Sequence, residues 1–239
     1  MSSQNLADDA KLTIIEHLEE LRDRLIVAAI ALVIATAFSF IFTDWLLELL
    51  IRLMGGLRPI AIHPVEPFIV YMKVALIAGV ALAMPVILYE VVRYLLPALT
   101  PQEKRYMLLL VPGGTLSFIA GLAFAVALVL PAAIRFLSNF ESGLITQQWT
   151  IENYITFVTT IMFWLGIIFE LPLVMFFLAK LGVVNTKMLG KFRRFWIVAA
   201  AVIAAVVTPT PDPVNMMIVM IPLVLLYEVG ILLVRLAGR

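Results

Sequence analysis

Six runs of apolar residues, most of them near bilayer-crossing length, constrain this chain more than anything else in it. A membrane helix needs about 20 mostly apolar residues to cross roughly 30 Å of hydrocarbon. The runs are Leu25–Phe42, Phe68–Leu88, Met107–Ile134, Tyr154–Ala179, Phe195–Val207 and Val214–Val234. Over the whole chain 63% of residues are apolar and only 14% charged, too little charge to clothe a fold in water. Alternation of strand type is missing, so a β-barrel is not expected. The expected fold is an all-α polytopic membrane protein, one integral domain over 1–239 with six transmembrane helices.

Orientation follows from where Lys and Arg fall. One side collects Lys11, Arg22, Arg24, Arg93, Lys104, Arg105, Lys180, Lys187, Lys191, Arg193, Arg194, Arg235 and Arg239. The other holds Arg52, Arg58 and Arg135, with Lys73 inside a span. This bias puts both termini in the cytoplasm of a cell (inner) membrane. The N-terminus lacks the pattern of a cleavable signal peptide. Instead Leu12, Ile15, Leu18, Leu21 and Leu25 share a helical face, so Lys11–Arg24 is expected to lie as an amphipathic helix in the interface.

The trans-side loops are expected to be structured. Asp44 can cap a helix from Trp45 to Met54, with Glu48 and Arg52 paired and Gly55–Gly56 as its stop. Thr150 can cap the fourth span. Phe195–Val207 has 13 residues and rises about 20 Å as a helix, short of a normal bilayer. Three prolines in Thr208–Pro213 then end it. The fifth and sixth spans are therefore read as a short pair, with Thr208 and Asp212 deeper than a usual loop.

Charges inside the spans are few. Glu170 falls near mid-membrane, where an ionised carboxylate costs about 2.5–3.5 kcal/mol on insertion scales. It must face protein, water or a partner, or hold its proton. Lys73 can snorkel toward the surface with Glu66 as partner. Glu90 and Arg93 are one turn apart and Glu228 lies two turns from Arg235, so each is expected to pair along its own helix. Net charge is +1 and cysteine is absent, so nucleic-acid binding by bulk charge, disulfides and thiolate metal sites are excluded. The two histidines, His17 and His63, are too few for a histidine metal site and badly placed for a Ser–His hydrolase. No catalytic residue, cofactor or metal is expected, and the chain is not read as an enzyme.

Several motifs now line up. His17-Leu-Glu-Glu-Leu-Arg-Asp-Arg-Leu25, Pro85-Val-Ile-Leu-Tyr89, Pro97-Ala-Leu99 with Glu103-Lys-Arg105, Phe169-Glu-Leu-Pro172, and Thr208-Pro…Asp212 followed by Ile221-Pro222…Tyr227-Glu228 occur in that order. Together they resemble the TatC family, the multispanning subunit of the twin-arginine protein translocase, over roughly residues 12–235. Three positions depart from the family pattern: Glu90 stands where Gln is usual, Arg93 where an aromatic is common, and Met216 where a Gln often follows the TPPD carboxylate.

The resemblance implies a receptor. Proteins of this family bind the paired arginines of export signal peptides on the cytoplasmic face. They assemble with single-span TatA- and TatB-like subunits, self-associate in a receptor complex within membrane lipid, and move folded cargo with the proton-motive force. Its acceptor carboxylates fall on Glu20 and Glu103, with Arg22, Tyr94 and Arg105 as supporting candidates. Guanidiniums call for planar, acidic, bidentate acceptors, which carboxylates supply. Glu170, Thr208 and Asp212 are the candidates for intramembrane polar contact with a partner. The alternative from another class is a proton-coupled secondary transporter using Glu170, which would also explain the proline-broken helices.

Overall fold

The computed structural model describes residues 3–56, 58–95, 101–139, 148–208 and 213–236, excluding the side chains of 3–14, 95, 101–109, 139 and 215. Among these residues the chain is helical, without strands. Six helical stretches follow one another. Helix α1 (Ser3–Ser39) passes through a 3₁₀ turn, Phe40–Phe42, into α2 (Thr43–Arg52). Helix α3 is Glu66–Leu95. Helix α4 (Pro101–Phe124) continues through a π-helical turn, Ala125–Val129, into α5 (Leu130–Asn139). The Pro131 ring would clash with the carbonyl four residues back, and the widened turn accommodates it. The fourth stretch is α6 (Ile151–Phe169) and α7 (Leu171–Lys180). The last two are α8 (Thr186–Val207) and α9 (Pro213–Leu236).

Five stretches are long and apolar enough to cross a membrane: Ile15–Arg52, Glu66–Tyr94, Leu110–Ser138, Ile151–Lys180 and Met216–Leu236. Helix α8 is not among them, because Lys187, Lys191, Arg193 and Arg194 occupy its first half and leave only Phe195–Val207 apolar. The expectation of a short sixth helix is corrected: α9 has 24 residues, a rise of about 36 Å. Pro222 does not cut it, since the turns on either side keep their own bonds. The N-terminal helix runs without a break into the first span.

Helix α6 is the axis of the core. Tyr154, Ile155, Val158, Ile161 and Leu165 are buried along it, and α2, α3, α4, α5, α8 and α9 contribute to the same cluster. Between α4 and α6 the backbones nearly touch. A Cβ on Gly121 would stand 2.7 Å from the Leu165 carbonyl oxygen, and one on Gly166 would stand 2.5 Å from the Phe118 ring. Small residues let helices approach this way in hydrocarbon, where association depends on van der Waals contact. Helix α1 is peripheral by contrast. It packs on α3 and leaves Leu25, Val33, Ile34 and Ile41 exposed.

The α2 end is tied together by polar contacts. Tyr154 Oη donates to the Leu50 carbonyl at 2.6 Å. Ile60 N donates to Trp149 O at 3.0 Å, and Ile151 N to Ile60 O at 2.9 Å. Thr150 caps α6, its hydroxyl accepting from Asn153 N. Glu48 and Arg52 pair at 2.7 Å, and Gly55 and Gly56 take the left-handed backbone (φ 64° and 101°) that ends the α2 region. Asp44 does not cap α2: the helix begins two residues earlier, at Thr43 after Phe42 and without a side-chain cap, because the 3₁₀ turn feeds it directly. Lys73 bonds Glu152 at 3.3 Å and Thr156 at 2.7 Å on α6, not Glu66. Glu66 instead accepts from the backbone N–H groups of Ile62 and His63, closing the start of α3. Glu228 pairs with Arg193 of α8 at 2.7 Å rather than with Arg235.

The α4–α6 crossing generates a stability prediction. Gly121→Leu should destabilise the detergent-solubilised protein by about 1–3 kcal/mol through overpacking. Gly190→Ala, where a Cβ meets nothing within 4 Å, should be neutral or stabilising by up to about 1 kcal/mol. Thermal unfolding reads both, and a Gly121→Leu protein that melts with wild type would overturn the close crossing.

Candidate functional site

Helix α1 carries an acidic stripe ahead of its apolar run. Glu16, Glu19, Glu20, Asp23 and Val27 recur at spacings of three and four, which places them on one helical face. With Arg24 and with Glu90 and Arg93 of α3 they line a shallow cavity of about 430 Å³. At its base the Arg24 guanidinium is gripped from two helices. Nε and Nη2 donate to Glu20 Oε1 (3.1 and 2.5 Å), and Nη1 donates to Glu90 Oε2 at 2.9 Å. Glu90 is buried and Arg24 and Glu20 are partly so. The expected Glu90–Arg93 pair is therefore corrected: the guanidinium across the helix interface has the better approach to the buried carboxylate, and Arg93 is exposed at the rim.

Glu20 keeps an acceptor free of Arg24. Its Oε2 lies 4.0 Å from His17 Nδ1, and the His17 ring stacks on Tyr94 with centroids 4.4 Å apart. The structure thus brings Glu20 and Tyr94 to one end through His17. Arg22 turns away into an exposed pair with Asp23 at 2.9 Å. Glu103 and Arg105 lie in the opening turns of α4, and their side chains are outside the described residues. Sequence reasoning missed Glu16, Glu19 and Glu90 as parts of this cavity. The acidic periodicity of Glu16, Glu19, Glu20 and Asp23 was a readable signal for the first two; the Glu90 contact spans 66 residues and left no local trace.

Glu170 sits at the break between α6 and α7. Pro172 cannot donate to the carbonyl four residues back, so the helix is interrupted there, and Glu170 takes φ −70° and ψ −21°. Its side chain is enclosed, with 9% exposure, and Oε1 has no hydrogen-bond partner. The carboxylate occupies room left by Gly114 of α4: a Cβ there would stand 2.8 Å from Oε2. Of the surroundings the sequence allows for this residue, the structure supplies protein: the chain itself covers it. Thr208 is buried and its hydroxyl donates to Ala204 O at 2.8 Å, so it is used within its own helix end. Asp212 lies outside the described residues.

A second cavity, of about 410 Å³, lies between α1–α2, α3 and α6. Its lining, including Phe42, Trp45, Leu49, Ile77, Leu82 and Met162, carries no titratable group, and Glu170 is not part of it. It suits an apolar chain rather than an ion or a polar solute. Among the described residues no group of His, Asp and Glu is arranged to hold a metal ion.

Comparison with known proteins gives one consistent answer. Residues 16–222 match the family model described as Sec-independent protein translocase protein (TatC). The TatC protein of Aquifex aeolicus is 39% identical over 230 residues, covering 94% of this chain and 95% of the relative. The chloroplastic TATC of Arabidopsis thaliana is 39% identical, covering 99% of this chain and 70% of the relative. A crystal structure of the twin-arginine translocase receptor TatC superposes with a TM-score of 0.82 at 38% identity, over 93% of this chain and all of that one.

The Arg24 contacts generate a second prediction. Arg24→Gln strands two carboxylates, one of them buried, and should cost about 1–3 kcal/mol. Glu90→Gln should cost less, because a carboxamide oxygen still accepts from Nη1. Thermal unfolding of the two variants in detergent decides it: an unchanged Arg24→Gln midpoint would mean that the bridge does not hold α1 to α3.

Proposed function

This chain belongs to the TatC family, the Sec-independent protein translocase proteins, and we propose that its part in that machinery is to bind twin-arginine signal peptides at the α1–α3 cavity. The observation that carries the reading is Arg24. A guanidinium is already held there by carboxylates of two helices, in the planar, charge-assisted mode that an incoming arginine requires. Glu16, Glu19 and Asp23 add negative charge to the same cavity, and Glu20 has an oxygen not engaged by Arg24. Glu103, which the family resemblance assigns to the same task, follows closely after the start of α4. The stacked rings of Tyr94 and His17 stand next to Glu20.

The protein is a multi-pass membrane protein. Its charge bias supports an orientation in which both termini face the cytoplasm of a cell membrane, so that the cavity meets precursors before export. Binding, rather than catalysis, is its contribution. Single-span TatA- and TatB-like subunits are its proposed partners, and the proton-motive force its proposed energy source. The apolar strip Val198, Val202 and Val206, exposed on the short helix α8, offers such a span a lipid-facing surface. Glu170, enclosed with an unpartnered oxygen, is proposed to act in assembly or transport and not in signal binding.

Three experiments test these proposals. Reporter fusions at Gly143 and after Arg239 should report opposite sides of the membrane; the same side for both would overturn the six-span topology. Purified protein in detergent should retain a twin-arginine peptide and retain its twin-lysine version much less. Glu20→Lys or Glu103→Lys should weaken that binding by about tenfold or more, each removing an acceptor and adding repulsion. Glu170→Ala should bind as wild type yet fail in a vesicle transport assay. Wild-type affinity in both lysine variants would eliminate the site, and normal transport by Glu170→Ala would reduce that residue to a packing role.

A further inference from the structure

Helix α8 carries two parallel stripes that the signal-binding reading leaves unused. Met188, Phe192, Phe195 and Ala199 follow one another at spacings of four, three and four along one face. With Leu189, Trp196 and Tyr227 they form an apolar groove of about 330 Å³. Its floor is rigid. Trp196 stacks on Tyr227 at 4.9 Å, Trp196 Nε1 donates to Leu223 O at 3.2 Å, and Tyr227 Oη donates to Leu189 O at 2.9 Å. Its walls are exposed: Met188 by 41%, Phe192 by 49% and Phe195 by 57%.

The second stripe is cationic. Lys187, Lys191 and Arg194 recur at i, i+4 and i+7, roughly 60–120° round the helix from the centre of the apolar stripe. Lys191 and Arg194 share a cleft of about 540 Å³ with Phe192 and Phe195, and the Arg194 guanidinium lies 5.0 Å from the Phe195 ring centre. Arg193, which lines the same cleft, is taken by Glu228. Among the described residues no carboxylate pairs with Lys187, Lys191 or Arg194. The stripe ends where the apolar run Phe195–Val207 begins, so its charges stand at headgroup level while the groove enters the acyl region.

We propose that this face of α8 is a binding site for an anionic phospholipid, with acyl chain in the Phe192–Trp196 groove and phosphate on the Lys187–Lys191–Arg194 stripe. Charge complementarity selects the occupant: a neutral apolar helix would leave three neighbouring cations unanswered, whereas a phosphodiester answers them and brings its own apolar chain. Each cation near a membrane surface adds about fivefold to the attraction of an anionic lipid. The site is independent of the twin-arginine cavity, and it serves the helix that needs it most. A 13-residue apolar run meets a bilayer thicker than itself, and a lipid fixed at its charged end anchors that mismatch.

The test uses Trp196 as a reporter in the full-length protein. The other three tryptophans, Trp45, Trp149 and Trp164, are replaced by Phe, and the protein is reconstituted in phosphatidylcholine vesicles carrying a minor fraction of brominated lipid. Brominated phosphatidylglycerol should quench Trp196 at severalfold lower mole fraction than brominated phosphatidylcholine. Lys187→Gln and Lys191→Gln should each reduce that preference about fivefold. Should the triple replacement not fold, native mass spectrometry of the wild-type protein reads the same preference as retained phosphatidylglycerol over phosphatidylcholine, lost in the double lysine variant. Equal quenching or retention of the two lipids, or a preference that survives removal of both lysines, overturns the proposal and leaves the groove to a protein helix or to bulk lipid.

Discussion

Contact between backbones, rather than escape from water, holds the centre of this protein together. Lipid tails are as apolar as leucine, so burying one helix against another in hydrocarbon gains little by transfer. What remains is dispersion, which falls away over fractions of an ångström. At Gly121 and Gly166 the α4 and α6 backbones meet with no room for a Cβ, and α6 is thereby fixed as the post on which the core assembles. The peripheral position of α1 is the other face of the same rule. Its apolar face has lipid as an acceptable solvent, so its attachment depends on α3 and on the ionic bridge at its charged end.

Polar groups then mark where the membrane stops. At the α2 end, hydrogen bonds from Tyr154, Ile60 and Ile151 and the Lys73–Glu152–Thr156 contacts tie loops and helices at the margin of the core. At the opposite end, Arg24 does the equivalent for α1 and α3. Between these zones Glu170 is the exception, and its cause is local. Pro172 breaks the helix, the break frees backbone groups, and Gly114 leaves the volume in which a carboxylate fits.

What could be read in the sequence and what could not divide along interaction range. The run lengths, the short apolar part of α8, the Thr150 cap, the Glu48–Arg52 pair and the Gly55–Gly56 stop are all decided within a few residues of one another. Each was legible. Three ionic partners were not: Lys73, Glu90 and Glu228 were each assigned a partner on their own helix, and each finds it on another. Helical spacing makes i,i+3 and i,i+4 neighbours conspicuous in sequence, but a side chain at a helix interface turns toward whichever charge is less hydrated. The buried Glu90 illustrates it, taking Arg24 from α1 while Arg93, one turn away, remains exposed. The candidate signal site suffered in the same way. Glu20 was legible through its motif, whereas the carboxylate that shares its arginine was seen only once α1 lay against α3.

That shared arginine also sets the electrostatics of the proposed signal site. Five carboxylates (Glu16, Glu19, Glu20, Asp23 and Glu90) face two guanidiniums (Arg24 and Arg93) around one cavity, and with Arg22 paired to Asp23 an excess of two negative charges remains. Without Arg24, Glu20 and Glu90 would confront each other across the helix interface as like charges, one of them buried, which is costly. With it, they are held at a spacing already matched to a guanidinium before any ligand arrives, so binding need not bear the cost of organising them. Two incoming arginines would lower the excess from two to zero, which is neutral and no further. A cavity built this way receives a pair of cations without itself becoming repulsive to the second, and its own arginine supplies the geometry while leaving the surplus charge to the peptide.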